Sequence, residues 1–286
     1  MGILVAFWSP LHGRGTTSNC IASAMQFGYR YKNNVVITHT HYTRSTMETA
    51  FLKGNETEDL LTFSDLGIDS IERALQTGEL REEDFVSYCN KVSDNVYLLS
   101  GSQKANSELF NKSVGETFQN ICRFSKKANS ITFVDIESGF TKDIASRVLE
   151  LADIVVVTLD QTNIFCEDFF NNQINHLDKE KVIAMIGRYD WESKYSKKYI
   201  DKEFNQNVYV LPQLTEYLDA LNNHRVNEFF RNYNFLEEEM FFDELNRLNE
   251  EIVERAKAIG VNFEPKELVT GNSNKSRFRL FRKRYA

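Results

Sequence analysis

The residues best suited to chemistry lie in one stretch, SPLHGRGTTSNC, directly after an apolar segment near the start of the chain. Two glycines in a turn and three hydroxyl residues at a helix start present backbone N–H groups and the positive end of a helix dipole to an anion. Glycine pairs also occur simply because a chain turns tightly. The stretch predicts a phosphate-binding loop formed by His12, Gly13, Arg14, Gly15, Thr16, Thr17 and Ser18.

Two phosphate-binding motifs compete for this loop. A dinucleotide fingerprint needs an acid at the end of the second strand to hold the ribose, and that strand ends in Thr38-His39-Thr40-His41. A P-loop, Gly-x-x-x-x-Gly-Lys-Ser/Thr, aligns with PLHGRGTT and keeps its second glycine and its hydroxyl residue, Thr17. The first glycine is replaced by Pro10 and the lysine by Thr16. The sequence favours the P-loop over the dinucleotide motif.

Apolar β-branched runs alternate with helical stretches along the chain, which predicts a doubly wound, mostly parallel α/β sheet of about seven strands with helices on both faces. In such sheets, ligands bind at the carboxyl ends of the strands. The predicted strands are Ile3 to Trp8, Val35 to Thr38, Asn95 to Gly101, Ile131 to Glu137, Ile154 to Leu159, Val182 to Gly187 and Val208 to Leu211. The predicted helices are Thr17 to Tyr31, Ile68 to Val92 in two pieces, Ser113 to Ala128, Thr141 to Ala152, Thr162 to Leu177, Ser196 to Gln206, Leu214 to Tyr233 and Phe235 to Ile259.

Composition excludes several classes of protein. The chain has 286 residues, of which 42% are hydrophobic, so it can form a sizeable core. No segment approaches the roughly 20 apolar residues of a membrane-spanning helix, and the N-terminus reads as a strand rather than a signal peptide. The four cysteines form no CxxC pair, which is typical of reduced thiols in a cytoplasmic protein.

Four further segments follow in order: FVDIESGF (133–140), LADIVVVTLDQTNIFCEDF (151–169), IGRYDWESKYSKKYI (186–200) and VYVLPQLTEYLDALNNH (208–224). With the loop, they resemble the ParA/MinD group of P-loop ATPases, and within it the atypical CpaE/TadZ-like members. The resemblance covers residues 1 to 231. It implies ATP or ADP with Mg²⁺ as cofactor, Asp135 beside Thr17 at the Mg²⁺, Gly139 as the switch glycine, and a homodimer.

The departures from the family concern charged residues. The two lysines of the family's loop fall on Leu11 and Thr16, its second-strand acids on Thr38 and Thr40, and its adenine-reading asparagine on Gly187. Phosphoryl transfer depends on placed positive charge, so losing both lysines costs several kcal/mol of transition-state stabilisation. Arg14 could lend a charge, but not with lysine geometry. The degenerate loop therefore predicts nucleotide binding with very weak ATPase activity or none.

Three functions stay open. The favoured one is a nucleotide-binding or pseudo-ATPase scaffold that localises a pilus, secretion or partition-type assembly and binds protein partners of that machine. The alternatives are an active partition-type ATPase that moves DNA or cargo, and an interaction module that has lost nucleotide. His39 and His41 could share one side of a strand end, but a metal site needs a third ligand. Two polar residues beside the phosphate loop are the simpler interpretation.

The chain divides into residues 1–232 as the nucleotide-binding domain, 233–262 as a long helix capped by Asn234, and 263–286 as a flexible basic extension. The long helix is expected to pack on the sheet, with a partner seam as the alternative. The last twelve residues hold six basic residues and no acid, whereas the rest of the chain carries a net charge of −13. Basic and aromatic residues alternate there, which suits an anionic membrane surface, here the inner face of a membrane, or a nucleic acid. They are Lys275, Arg277, Phe278, Arg279, Phe281, Arg282, Lys283 and Arg284.

Overall fold

The computed structural model describes residues 2–42, 45–52, 65–102, 104, 107–128, 131–139, 144–232 and 236–267. Within these ranges, eight strands form one sheet in the order β3-β4-β2-β5-β1-β6-β7-β8. Every neighbouring pair is parallel except β3 with β4, which is antiparallel. The strands are β1 (Ile3–Trp8), β2 (Val35–His39), β3 (Asn90–Lys91), β4 (Val96–Leu98), β5 (Ile131–Asp135), β6 (Ile154–Leu159), β7 (Val182–Tyr189) and β8 (Tyr209–Pro212).

Helices cover both faces of the sheet. Within the described ranges they are α1 (Thr16–Arg30), α2 (Ile68–Thr77), α3 (Ser107–Lys127), α4 (Ile144–Leu151), α5 (Asn163–Asn171), α6 (Lys197–Phe204), α7 (Thr215–Asn222), α8 (Val226–Arg231) and α9 (Leu236–Ala258). Alternate residues of β1 enter two separate cores, with Phe7 on the face of α1 and α9 and Trp8 on the face of α3 and α5. This confirms the predicted doubly wound α/β fold.

Three predicted helices are wrong in part. The second of the two helices predicted within Ile68 to Val92 is a 3-10 helix, Glu82–Tyr88, followed by the edge strand β3. With only two residues, β3 is too short to show the alternating hydrophobic pattern of a strand. The helix predicted from Thr162 to Leu177 ends at Asn171. The helix predicted from Leu214 to Tyr233 is divided into α7 and α8, because His224 adopts the left-handed conformation with φ 60°.

The long helix α9 packs against α1 and β8, as the preferred interpretation predicted. Leu245, Leu248 and Ile252 belong to the core on the α1 face of the sheet. Polar contacts fix the pairing of the two helices, since Ser23 bonds Asn249 and the Gln26 amide donates to Asn246 over 2.7 Å. The helix is therefore part of the sheet's own core. Its predicted cap, Asn234, lies outside the described residues.

The described residues that follow α9, up to 267, are anchored, whereas a loose extension was expected to start at Phe263. Phe263 is buried against Phe27, with ring centroids 4.9 Å apart. The Lys266 amide donates to the Arg30 carbonyl over 2.7 Å, and its ammonium group donates to Asn95 Oδ1 over 2.8 Å. The basic residues predicted to contact a polyanion, Lys275 to Arg284, lie outside the described residues.

Candidate phosphate-binding site

The loop from Ser9 to Gly15 joins β1 to α1 at the carboxyl edge of the sheet. β1 lies between β5 and β6, where the direction of strand succession reverses, and such switch points are where doubly wound sheets bind ligands. Gly13 and Gly15 have φ of 74° and 78°, in the left-handed region that favours glycine. A Cβ built on Gly13 would meet nothing within 4 Å, so the backbone conformation rather than lack of space requires this glycine.

The amino end of α1 is suited to an anion. Gly15 caps the helix without a side chain, and the first turn holds no acidic residue. The Asn19 amide donates to the Gly15 carbonyl over 2.9 Å, so the amides of Thr16, Thr17 and Ser18 precede the first helical hydrogen bond. The Ser18 hydroxyl also donates to the Gly15 carbonyl, over 2.8 Å. Phosphate binding by these residues stays a prediction, but their geometry suits it.

Thr17 and Asp135, predicted to lie together, are in contact. The Thr17 hydroxyl donates a 2.6 Å hydrogen bond to Asp135 Oδ2. Asp135 ends β5 and is fully buried. His41 Nε2 lies 3.1 Å from the same oxygen, a contact that sequence reasoning missed. One carboxylate oxygen thus receives both a hydroxyl and an imidazole.

Arg14 was expected to lend a charge to bound phosphate. In the structure its guanidinium forms an ion pair with Asp160, which follows β6, and lies 4.5 Å from the centre of the Phe165 ring. Both charged side chains are about one quarter exposed. The positive charge of Arg14 is therefore already balanced by an acid.

Arg188 is a second cation at the loop, and sequence reasoning missed it. It lies in β7 where the register with β8 shifts, and it adopts the left-handed conformation with φ 51°. This bulge directs its guanidinium to the Gly13 carbonyl oxygen, to which it donates a hydrogen bond. Arg188 is exposed and forms no salt bridge with the residues described. An arginine immediately after a glycine at a strand end is the sequence signal that could have indicated it.

Gly187 explains how closely the loop approaches β7. A Cβ at this position would lie 2.7 Å from Asn19 Nδ2 and 3.1 Å from the Arg14 carbonyl oxygen. The position that resembles the family's adenine-reading asparagine therefore has no room for a side chain. The site must bind a base, if it binds one, without an amide at this point.

Two other positions that depart from the family, Thr38 and Thr40, are neutral and buried at the carboxyl end of β2. Thr38 is fully buried, and Thr40 accepts a 2.9 Å hydrogen bond from the Glu137 amide. Gly139, the predicted switch glycine, has φ 98° and its amide donates to the Ser9 carbonyl over 3.1 Å. The segment after Asp135 is thus joined directly to the start of the phosphate loop.

His39 has a different environment from His41. Its Nε2 lies 2.8 Å from Glu48 Oε1, which also accepts a 3.0 Å hydrogen bond from the Gly101 amide, and both side chains are buried. Burial opposes the charge on His39, but the Glu48 carboxylate outweighs it and raises the pKa of His39. Burial also opposes the charge on Glu48, yet His39 and the Gly101 amide lower the pKa of Glu48 to about 2.

No family model matches the chain, and no curated protein matches its sequence. Solved structures do. A ParA family ATPase from Chlorobium tepidum aligns with TM-score 0.61 and 14% identity over 79% of this chain and 92% of its own. MinD from Pyrococcus horikoshii, solved with Mg-ADP, aligns with TM-score 0.64 and 15% identity over 91% of this chain and 98% of its own. A putative plasmid partition protein from Borrelia burgdorferi, bound to AMPPNP, aligns with TM-score 0.59 and 14% identity over 91% of this chain and 100% of its own.

The chain has the ParA/MinD fold. At these identities the likeness establishes the architecture alone, and the site must be judged on its own residues. Within the described residues, no helix is long and apolar enough to cross a membrane. The four cysteines are buried and free, in agreement with the predicted thiols.

Proposed function

We propose that this chain is a ParA/MinD-like nucleotide-binding protein of the CpaE/TadZ kind that hydrolyses ATP very slowly or not at all. The observation that carries the proposal is the Thr17–Asp135 hydrogen bond directly beneath a loop with two left-handed glycines. A hydroxyl at a helix start beside a buried carboxylate is the pair that holds a cation next to bound phosphates. Asp135 ends β5, and Thr17 lies in the first turn of α1, which follows the neighbouring strand β1.

The residues present fit a phosphate ligand and a divalent cation. Asp135 Oδ1 is buried without a hydrogen-bond partner among the described residues, as expected for a carboxylate that a cation completes. The amides from Gly13 to Ser18 would hold the phosphates, and Arg188 would supply a positive charge. Mg²⁺, which the family resemblance implies, would neutralise phosphate charge at Thr17 and Asp135.

Slow turnover follows from the charges at the site. Leu11 and Thr16 occupy the two lysine positions of the family's loop, and neither can stabilise charge that develops on the transferred phosphate. Arg14 is paired with Asp160. Thr38 and Thr40 replace the acids of the second strand and cannot act as carboxylate bases. Binding energy remains, but the groups that make phosphoryl transfer fast are absent from these positions.

Calorimetry with ADP and ATP, with and without Mg²⁺, tests the proposal together with a phosphate-release assay. We expect binding without turnover, and loss of binding in the T17A/D135A double variant. Turnover abolished by the double variant would instead support an active partition-type ATPase. No binding, and no rise in melting temperature at millimolar ATP, would contradict the proposal and favour a nucleotide-free interaction module.

The cellular role proposed with this site is localisation. A nucleotide-dependent scaffold that forms a homodimer and binds components of a pilus, secretion or partition-type assembly needs binding but not rapid hydrolysis. We place it in the cytoplasm, peripheral at the inner membrane face. Size-exclusion chromatography with and without ATP tests the homodimer, and an unchanged monomer would remove that part of the proposal.

A further inference from the structure

Asp160 follows β6 directly, and its own turn fixes the position of its carboxylate. The Thr162 hydroxyl donates to Asp160 Oδ1 over 2.7 Å, and the Thr162 amide donates to the Asp160 carbonyl over 2.8 Å. The other carboxylate oxygen, Oδ2, accepts a hydrogen bond from the Arg14 guanidinium. Because β6 is a neighbour of β1, the end of β6 brings this fixed acid beside the loop that follows β1.

Two contacts hold the guanidinium of Arg14. It forms the ion pair with Asp160, and it lies 4.5 Å from the centre of the Phe165 ring in α5. Its Nε is buried and has no hydrogen-bond partner among the described residues. A guanidinium with an unused donor, in a loop that begins a helix, is complementary to an oxyanion that accepts more than one hydrogen bond. The Arg14 side chain therefore suits a ligand other than Asp160.

An anion in the loop and the Asp160 carboxylate would compete for this guanidinium. The side chains of the ion pair are 24% exposed for Arg14 and 29% exposed for Asp160, and pairs with access to solvent are weak enough to open. A phosphate group accepts two parallel N–H bonds from an arginine, in the geometry of the guanidinium fork. Phosphate is therefore a ligand class able to take the arginine from the acid.

We propose that Asp160 is a positioning residue that keeps the affinity of the loop for phosphate low, because it holds the Arg14 guanidinium until a phosphate group replaces it. The inference rests on the proposed function, since it assigns how the same anion site is regulated. The exchange makes and breaks hydrogen bonds only. In the occupied site Arg14 contacts the phosphate, and Asp160 keeps its hydrogen bond with Thr162.

Calorimetry on the full chain at low salt tests the proposal, with inorganic pyrophosphate and ADP as probes. D160N removes the charge but keeps the oxygen that accepts from Thr162. This variant should bind pyrophosphate about tenfold more tightly than wild type, because Arg14 no longer has a competing anion. E167Q is the matched control, since it removes an exposed carboxylate of α5 that accepts from Asn163, and it should bind like wild type.

The double variant R14A/D160N shows whether Asp160 acts through Arg14. Adding D160N to R14A should raise the affinity for pyrophosphate by about threefold or less, the part that is due to removing a negative charge near the loop. An equal gain in both backgrounds would overturn the proposal, because Asp160 would then act by repulsion alone. Equal affinity of wild type and D160N would overturn it as well. Circular dichroism checks that the variants fold.

A measurement on wild type removes the dependence on these variants. In the nitrogen NMR spectrum of the full chain with labelled arginine, the Nε–H signal of Arg14 is assigned by its loss in R14K. This signal should shift when pyrophosphate is added, since the guanidinium changes its partner. Pyrophosphate that binds without moving the signal would overturn the proposal.

The two probes separate this inference from the proposed function. Binding of pyrophosphate but not of ADP, with the gain in D160N, would contradict nucleotide binding and support the role of Asp160. Binding of ADP by wild type with no gain in D160N would do the reverse. Failure of both wild type and D160N to bind pyrophosphate would overturn the inference, whether or not ADP binds.

Discussion

The guanidinium of Arg188 donates a hydrogen bond to the carbonyl oxygen of Gly13, and this contact joins the end of β7 to the loop that follows β1. Under the proposed function, the backbone amides of this loop would donate to a bound phosphate. An arginine held on one of the loop carbonyls adds positive charge to a loop whose lysine positions are neutral.

The R188A variant should therefore bind ADP about tenfold more weakly, the equivalent of roughly 1.4 kcal/mol, because a charge-assisted contact is lost. R188K should fall between the two, since lysine keeps the charge without the forked geometry. Calorimetry at low salt is the measurement, and R81A, which removes an arginine about three quarters exposed, is the control. Equal affinity of wild type and R188A would remove Arg188 from the site.

Gly187 and Gly115 offer a matched pair of glycine-to-alanine changes. At Gly187 the new methyl group would lie 2.7 Å from Asn19 Nδ2 and 3.1 Å from a loop carbonyl, so G187A should lower the free energy of unfolding by roughly 1–3 kcal/mol. At Gly115, within α3, the nearest atoms are 3.6 Å away, and G115A should raise it by roughly 0.5–1 kcal/mol. Urea unfolding measures both. Equal effects would show that the loop does not press on β7.

The buried His39–Glu48 pair predicts a pH dependence of stability. The pKa of Glu48 is lowered from 4.5 to about 2, so its ionised form contributes stability above about pH 4.5 that is lost as the pH falls toward 2. The pKa of His39 is raised from 6.5, so its contribution is complete below about pH 6.5 and is lost as the pH rises through the folded value.

Wild type should accordingly be most stable between about pH 4.5 and 6.5 with respect to this pair. E48Q should remove the loss of stability toward pH 2 that Glu48 causes and the loss above about pH 6.5 that its contact with His39 causes, while the exposed-residue control E216Q leaves the profile unchanged. Urea unfolding from pH 3 to 9 gives the profiles. Parallel curves for wild type and E48Q would contradict the assignment of the pair.

The strands were predictable where both faces are buried. β1 and β6 match the prediction to the residue, because six successive apolar or β-branched residues between helical stretches have few other structures open to them. The strand prediction depends on local pattern. The Thr17–Asp135 pair was also predicted, but through the match of the loop to a P-loop and the resemblance of FVDIESGF to the family's segment.

The contacts that change the chemistry of the site could not be predicted in the same way. The partner of Arg14 lies 146 residues away, and Arg188 reaches Gly13 only because a register shift turns one residue of β7. His41 meets Asp135 because β2 and β5 are neighbours in the sheet, although β3 and β4 intervene along the chain. Sequence patterns carry no information on side-chain direction at such crossings.

The predicted contact of residues 275–286 with an anionic surface rests on the sequence alone. Deleting them should reduce flotation of the protein with vesicles that contain anionic lipid, because each basic residue near such a surface contributes about 1 kcal/mol. Neutral vesicles serve as the control. Equal flotation of the full-length and the shortened protein would rule out the membrane role. If the full-length protein binds nucleic acid and the shortened protein does not, the segment belongs to that partner instead.

The anchoring of Lys266 beside Gly28 and Asn95 determines where the chain leaves the described structure. Gly28 lies near the carboxyl end of α1 and Asn95 directly precedes β4, whereas the glycine turn lies at the opposite edge of the sheet, about 22 Å away by the length of the 15-residue helix α1. The described chain therefore ends at the edge of the sheet opposite the glycine turn, and Lys266 fixes that end to the carboxyl end of α1.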